Sequence, residues 1–119
     1  MQTEILRFPR NARRVYTAVK HVFQTRTKFS DIRCDEQHFT IEARRGLLLS
    51  PMSEKVCIKV VATDTEVCRV TIESSSRSML NLFNFNANRQ NVNILSDFIQ
   101  NEVWKLVGDE ELKLKRNIL

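Results

Sequence analysis

The stretch KVCIKVVATDTEVCRVTIE, residues 55–73, decides the fold of this chain. Apolar and polar side chains alternate on both sides of its centre, a pattern typical of strands that bury one face. We predict a hairpin that turns at Thr63–Asp64–Thr65, with Val60 opposite Cys68. This register places six small or branched apolar side chains on one face and leaves the other face mixed and mostly solvated.

Two shorter strands are predicted upstream of this hairpin. Ile32 and Cys34 share one face of the first strand, and Phe39, Ile41 and Ala43 share one face of the second. The polar segment that links them is short, so we expect a second hairpin.

The opening of the chain predicts a strand followed by a helix. Residues 3–8 alternate, Pro9 ends the strand, and Asn11 is a suitable N-cap. Apolar residues then recur at helical spacing over about 14 residues. They are Ala12, Val15, Tyr16, Val19, Val22 and Phe23.

A long helix is predicted to close the domain. Its core stripe consists of Val92, Leu95, Ile99, Val103 and Leu106. Gly108 is a plausible stop for this helix. We therefore expect a single domain over residues 1–108 and a tail over 109–119, in which a short helix begins at Asp109.

These elements predict an α+β fold with the order β-α-β-β-β-β-α. Only one sheet face is consistently apolar, so both helices are expected on that face. The result is a two-layer sandwich with an antiparallel meander sheet of about five strands. A chain of 119 residues suits one domain. Neither a membrane span nor a signal peptide is expected, and three cysteines without a disulfide framework favour a reduced, cytoplasmic setting.

Several kinds of site are improbable on composition. Three cysteines without a Cys-x-x-Cys pair argue against a disulfide framework, and Cys34 and Cys68 are interpreted as core residues. The two histidines are not part of a group of ligands at metal-binding spacing, so no metal is expected. With only two glycines, a P-loop or Rossmann phosphate site is excluded, and no cofactor is predicted.

The positive charge is concentrated at the start of the chain. Residues 1–30 carry seven basic side chains and one acid, a net charge of +6, whereas residues 31–119 carry −1. The simplest interpretation is a solvated basic helix face. The alternative is nucleic-acid or anionic-surface binding through Arg10, Arg13, Arg14 and Lys20.

A serine-rich segment follows the last predicted strand. Ser76 and Arg77, with Arg89 in the next helix, form a candidate anion-binding site. The favoured alternative is a fraying strand end whose hydroxyls bond local backbone.

Two predicted connectors, residues 47–52 and 79–86, are unusually apolar, and the closing helix has a second apolar stripe that includes Ile94. The connectors either cap the core, line a ligand cleft or form a protein contact. The candidate ligand- or partner-binding residues are Leu48, Met79, Leu82, Phe83, Phe85, Phe98 and Trp104.

Two resemblances extend this interpretation. Phe8–Pro9, residues 12–16 and the closing helix resemble the ends of START-like, Bet v 1-type ligand-binding proteins, which are longer and have additional strands and an extra early helix. Residues 75–78 and the asparagines at 86, 88 and 91 more closely resemble a set of small bacterial domains of unknown function. That second resemblance implies a bacterial cytoplasmic α+β domain and supplies no activity.

No residue is nominated as a catalytic group. The sequence therefore favours a non-enzymatic domain that binds a protein, a second copy of itself or a small apolar ligand through the two apolar connectors and the closing helix. Nucleic-acid binding is the alternative.

Overall fold

A computed structural model of the chain describes residues 1–45, 54–76 and 81–118, with side chains described for the first two ranges and for residues 87–106. The order of elements confirms the predicted α+β fold. The elements are β1 (Gln2–Phe8), α1 (Ala12–Thr25), β2 (Ser30–Asp35), β3 (Thr40–Arg45), β4 (Glu54–Asp64), β5 (Val67–Ser76) and α2 (Asn81–Ile118).

The five strands form one antiparallel sheet with the order β1-β5-β4-β3-β2. The strands β2 to β5 follow one another as a meander. The first strand of the chain lies at the other edge, where Leu6 of β1 pairs with Val70 of β5. Both helices cover the same face of this sheet, because its inward side chains are apolar while those of the outer face are partly exposed.

The predicted register of the central hairpin is wrong by two residues. Val60 pairs with Val70, and Ala62 pairs with Cys68, because the turn lies further along the chain than predicted and the pairing is irregular between Ala62 and Asp64. A shift of two residues keeps every side chain on its own face. The six apolar residues assigned to the inner face are therefore all buried, as predicted.

The first helix has the predicted bounds and cap. The side-chain oxygen of Asn11 accepts a hydrogen bond from the backbone N–H of Arg13 at 2.9 Å, which satisfies one donor of the first turn. All six residues of the predicted apolar stripe are buried, together with Ala18, and the opposite face is solvated.

The closing helix is longer than predicted at both ends. It begins at Asn81, inside the segment assigned to a connector, and it continues through Gly108 to Ile118, so no new helix begins at Asp109. A glycine inside a helix costs only about 1 kcal/mol, and the following residues are strong helix formers. Four residues of the predicted stripe are buried, whereas Leu106 is exposed.

The strand β2 is an edge strand and all six of its residues are exposed. The assignment of Cys34 to the core is therefore wrong, because β2 lies at the edge of the sheet and Cys34 stays exposed there. The predicted hairpin to β3 is present, but its turn spans residues 36–39 and includes Phe39, which was predicted in the strand and has a φ of 50°. Asp35 holds this turn by accepting hydrogen bonds from the backbone of Gln37 and His38 and from His38 Nδ1 at 2.8 Å. The side-chain hydrogen bond from His38 is the main cause that lowers the pKa of Asp35.

The core fills the space between the sheet and the two helices. Its largest fully buried members come from both layers. They include Phe23 of α1, Ile41, Ile58 and Ile72 of the sheet, and Leu95 and Ile99 of α2. Within the described part of the chain, no helix has the length and apolar content needed to cross a membrane.

Candidate ligand-binding cleft

Four polar side chains are buried beneath α2 at one end of the core. They are Glu54, Ser74, Asn88 and Asn91. Burial of polar groups costs free energy unless they are hydrogen-bonded, so their partners decide what this region does. These four residues and the two side chains bonded to them are called the polar network: Arg45, Glu54, Ser74, Ser76, Asn88 and Asn91.

The strand β5 and the helix α2 supply the inner part of this network. Ser74 Oγ donates to Asn88 Oδ1 at 2.8 Å, and Asn88 Nδ2 donates to Ser76 Oγ at 2.7 Å. Ser74 is the next inward position after Ile72, so the alternation of β5 continues with a hydroxyl in place of an alkyl group. Asn88 lies one helical turn before the buried Val92, so the stripe of α2 likewise continues with an amide.

Asn91 joins the network to Arg45 at the end of β3. Its Oδ1 accepts a hydrogen bond from Arg45 Nη1 at 2.7 Å. Its Nδ2 lies 3.3 Å from Ser74 Oγ and 3.5 Å from Glu54 Oε1, both of which accept. The amide orientation is fixed, because a guanidinium only donates and a carboxylate only accepts. Asn91 therefore holds one end of the Arg45 guanidinium.

An open cleft of about 380 Å³ adjoins this end of the network. It lies between the connection from α1 to β2, the end of β3 and the exposed edge of α2. Its lining within the described residues consists of Arg26, Thr27, Lys28, Phe29, Arg45, Ile94 and Phe98. It is referred to below as the open cleft.

The charged groups of the open cleft are all positive among the described residues. Arg26, Lys28 and Arg45 line it, and no carboxylate does. Elsewhere in the described residues some cations are paired with acids, as Lys20 is with Glu36. Within the described part of the chain, none of the three cleft cations has a carboxylate within 4.0 Å, and Glu54 is separated from Arg45 by the Asn91 amide.

The remaining wall is apolar. Phe29, Ile94 and Phe98 line the open cleft, and Phe29 and Phe98 pack against the core. The ring of Phe29 lies 5.7 Å from that of Phe23, which fixes its position. Ile94 is 40% exposed and presents its side chain at the mouth. The cleft thus combines an apolar wall with a cationic one.

Comparison with solved structures finds domains with a similar fold. A di-domain aromatase/cyclase, BexL from the BE-7585A biosynthetic pathway, matches with a TM-score of 0.56 and 10% identity over 83% of this chain. This chain spans 46% of the length of that protein. The Zhui aromatase/cyclase from Streptomyces sp. R1128 matches with a TM-score of 0.48 and 10% identity over 86% of this chain and 94% of its own. No family model matches the sequence, and comparison with curated proteins gives no match.

The likeness to BexL shows the fold alone. Aromatase/cyclase domains of this type have a START-like, Bet v 1-type fold, so the resemblance predicted from the two ends of the chain is confirmed at the level of fold. The resemblance to small bacterial domains stays a prediction.

The structure brings one of the predicted binding residues to the open cleft. Phe98 lines it, together with Ile94 of the same apolar stripe. Trp104 lies elsewhere, half exposed, with its ring edge-to-face against Phe8 at 6.2 Å. Leu48 and Met79 lie outside the described residues, and so do the side chains of Leu82, Phe83 and Phe85, whose backbone belongs to α2.

Two serines of the predicted cluster, Ser74 and Ser76, bond to side chains of α2. Ser76 accepts from Asn88, a residue of α2, and Ser74 donates to it, so the end of the strand is tied into the interior. Arg89 is exposed on α2, and Arg77 lies outside the described residues. Anion binding by Ser76, Arg77 and Arg89 stays a prediction.

The basic face of α1 is solvated, as predicted. Arg13 and Arg14 are exposed, Lys20 pairs with Glu36, and Arg10 donates to the carbonyl of Pro9 at 2.6 Å. The described residues contain no group of three or more His, Cys, Asp or Glu side chains that is able to hold a metal. Nucleic-acid binding by this face stays a prediction.

Sequence reasoning missed most of the lining of the open cleft. Arg45 and Glu54 flank an apolar connector, and nothing in their spacing distinguishes them from surface charges. The sequence does contain a signal for the polar network, in the spacing of two asparagines. Asn88 and Asn91 precede Leu95 by seven and four residues, so they share the buried face of α2, where an asparagine needs a partner.

Proposed function

We propose that this protein is a small-ligand-binding domain that holds its ligand in the open cleft. The observation that carries the proposal is the cleft itself, a space of about 380 Å³ walled by Phe29, Ile94 and Phe98. Ligand sites typically have volumes of about 300–1,000 Å³ and an apolar lining with a few fixed polar groups. The open cleft fits this description in volume and in lining.

The fixed position of Arg45 supports the same conclusion. Asn91 holds its guanidinium at 2.7 Å, and Asn91 itself is completely buried. A buried polar network is worth retaining in a small core when it orients a group that meets a ligand, because side chains that are ordered beforehand lose less entropy on binding. The polar network therefore belongs to the binding site as its support.

The fold adds independent support. BexL is an aromatase/cyclase of a biosynthetic pathway, and 46% of its length matches this fold, which supports a fold used for small-molecule binding. The proposal concerns binding alone.

Two fluorophores with one aromatic skeleton test the proposal. N-phenyl-1-naphthylamine is neutral, and 1-anilinonaphthalene-8-sulfonate carries an added sulfonate. We expect at least one to bind saturably at one site, seen as enhanced probe fluorescence. Phe98→Ala removes part of the apolar wall and should weaken binding about tenfold, the equivalent of about 1.4 kcal/mol.

Trp104→Ala is the matched control, because it removes an exposed aromatic side chain from the same helix outside the cleft. It should leave the affinity within about twofold of the wild type. Absence of saturable binding by both probes, or equal losses in the two variants, would contradict the proposal.

A further inference from the structure

The charge of the open cleft restricts the class of ligand, if the proposed function holds. Three cations and no carboxylate line it among the described residues. Two of them, Arg26 and Lys28, belong to the first 30 residues, which carry the entire positive excess of the chain. A wall of like charges beside an apolar surface attracts anions and repels cationic ligands.

Arg45 is the cation with a defined orientation. Its Nη1 donates to Asn91 Oδ1, which is its one hydrogen-bond partner within the described part of the chain. A guanidinium carries five N–H donors in a rigid fork, so one bond to Asn91 leaves further donors for a carboxylate, sulfonate or phosphate. Such charge-assisted hydrogen bonds are shorter and stronger than neutral ones.

The neighbouring acid does not cancel this charge by direct contact. Glu54 faces Arg45 across the pairing of β3 with β4. Its carboxylate is buried, however, and accepts from Asn91 Nδ2, so the asparagine amide stands between the two charged groups. Among the described residues, no carboxylate lines the open cleft beside the guanidinium, and Arg26 and Lys28 add to its positive charge there.

From this geometry we infer that the ligand of the open cleft is an amphipathic organic anion. Its anionic group bonds to Arg45 and lies near Arg26 and Lys28, and its apolar body packs on Phe29, Ile94 and Phe98. Asn91 is a positioning residue for Arg45. Carboxylate, sulfonate and phosphate share the chemistry that this site recognises.

The two fluorophores measure the preference directly on the wild-type protein. The sulfonated probe should bind at least about tenfold more tightly than the neutral probe of the same skeleton, because it adds a charge-assisted hydrogen bond. Raising the NaCl concentration from about 0.05 M to about 0.5 M should weaken the sulfonated probe and leave the neutral probe unchanged.

Substitution then locates the charge. Arg45→Gln should remove most of the preference, lowering the affinity for the sulfonated probe about tenfold and that for the neutral probe by less than about twofold. Arg13→Gln is the matched control, because it removes the same charge from the exposed face of α1 and should change neither affinity. A direct titration of decanoate against decanol on the wild type gives the same comparison without any variant.

The outcomes separate this inference from the proposed function. Equal affinity for the two probes, with a Phe98→Ala loss in both, overturns the anionic ligand and leaves the cleft as the binding site. A preference for the sulfonated probe that survives Arg45→Gln but falls in Arg13→Gln overturns the role of Arg45. Failure of both probes and of decanoate to bind overturns the proposed function as well.

Discussion

The helix α2 buries two stretches that are equally hidden from water and chemically opposite. Toward its middle, Leu95, Ile99 and Val103 pack in an entirely apolar layer against the sheet. Further toward its start, Asn88 and Asn91 are just as buried and are hydrogen-bonded to serines of β5. The two stretches are called the dry end and the polar network end of the core.

The two ends have different roles: the dry end stabilises the folded state, and the polar network end positions a side chain. Apolar burial stabilises the folded state in proportion to area, whereas a buried hydrogen bond exchanges a bond to water for a bond within the protein and gains little. A small domain therefore loses stability by placing amides where alkyl groups would fit. The polar network end instead fixes the orientation of a side chain. Ser74 and Glu54 hold the side-chain amide of Asn91, and this amide holds the guanidinium of Arg45.

The largest effect is expected at the dry end. Leu95→Ala removes a completely buried side chain and leaves a cavity, which should lower the free energy of unfolding by about 2–5 kcal/mol. Urea denaturation followed by circular dichroism measures it. The same substitution at the exposed Leu106 should cost less than about 0.5 kcal/mol. Similar losses at the two positions would mean that the dry end is not the main source of stability.

A smaller loss is expected at the polar network end. Asn91→Leu leaves Glu54 and Ser74 with fewer partners and releases Arg45, so the free energy of unfolding should fall by about 1–3 kcal/mol. The same denaturation experiment measures it. Asn93→Leu makes the identical change at an exposed position of the same helix and should be nearly neutral.

Binding of the two fluorophores to the asparagine variants is a second measurement. Asn91→Leu should reduce the preference for the sulfonated fluorophore while leaving binding of the neutral one, since it acts through the orientation of Arg45. A variant that loses stability but retains the full preference would show that the polar network supports the fold and does not position the cleft.

The last comparison is between a buried and an exposed cysteine, and it concerns the rate of alkylation. Burial raises the pKa of Cys68, a buried core residue of β5, to about 11, whereas Cys34 is exposed on β2. Because burial shields Cys68 from the reagent and its raised pKa leaves little thiolate at about pH 8, iodoacetamide should modify the exposed Cys34 before Cys68. Timed alkylation followed by peptide mass spectrometry reads this order. Equally rapid labelling of both would show that solvent reaches Cys68 in the folded protein.

The pH dependence follows from the same thiol. In the unfolded chain Cys68 ionises near its ordinary pKa of 9.0, while the folded protein keeps the proton to about 11. The stability due to this group is therefore complete below about pH 9 and falls as the pH rises toward 11. Cys68→Ser should remove this part of the alkaline loss.

The fold was predictable because its signals are periodic. Alternation with a period of two marks the inner face of β4 and β5, and spacing of three and four marks the buried stripe of α1. The same period explains the error in register, since a slip of two residues leaves every face unchanged. The turn contains no glycine that would have fixed its position, and the exposure of Cys34 depends on which strand lies at the sheet edge.

The site was less predictable, because it depends on contacts between distant residues. Phe98 was assigned from its stripe on α2, but Arg45 is recognisable only once Asn91, 46 residues away, lies beside it. Serines and asparagines are common in turns and helix caps, so the sequence favours a fraying strand end for the segment that begins at Ser74 and places Asn88 only at the entry of the closing helix. Only the pairing of the two elements shows them to be interior.

The sheet order described above also determines when each part of the chain can fold. Each of the strands β2 to β5 pairs with its neighbour in the chain, but β1 pairs with β5, and the paired residues Leu6 and Val70 are far apart in the chain. Closing that long loop delays β1, because non-local pairing must first offset the entropy of closure. During synthesis the β1–α1 segment emerges before its partner strand exists, with the apolar stripe of α1 uncovered. Residues 1–30, which include that segment, carry a net charge of +6, and like charge opposes association between two copies of them during this interval.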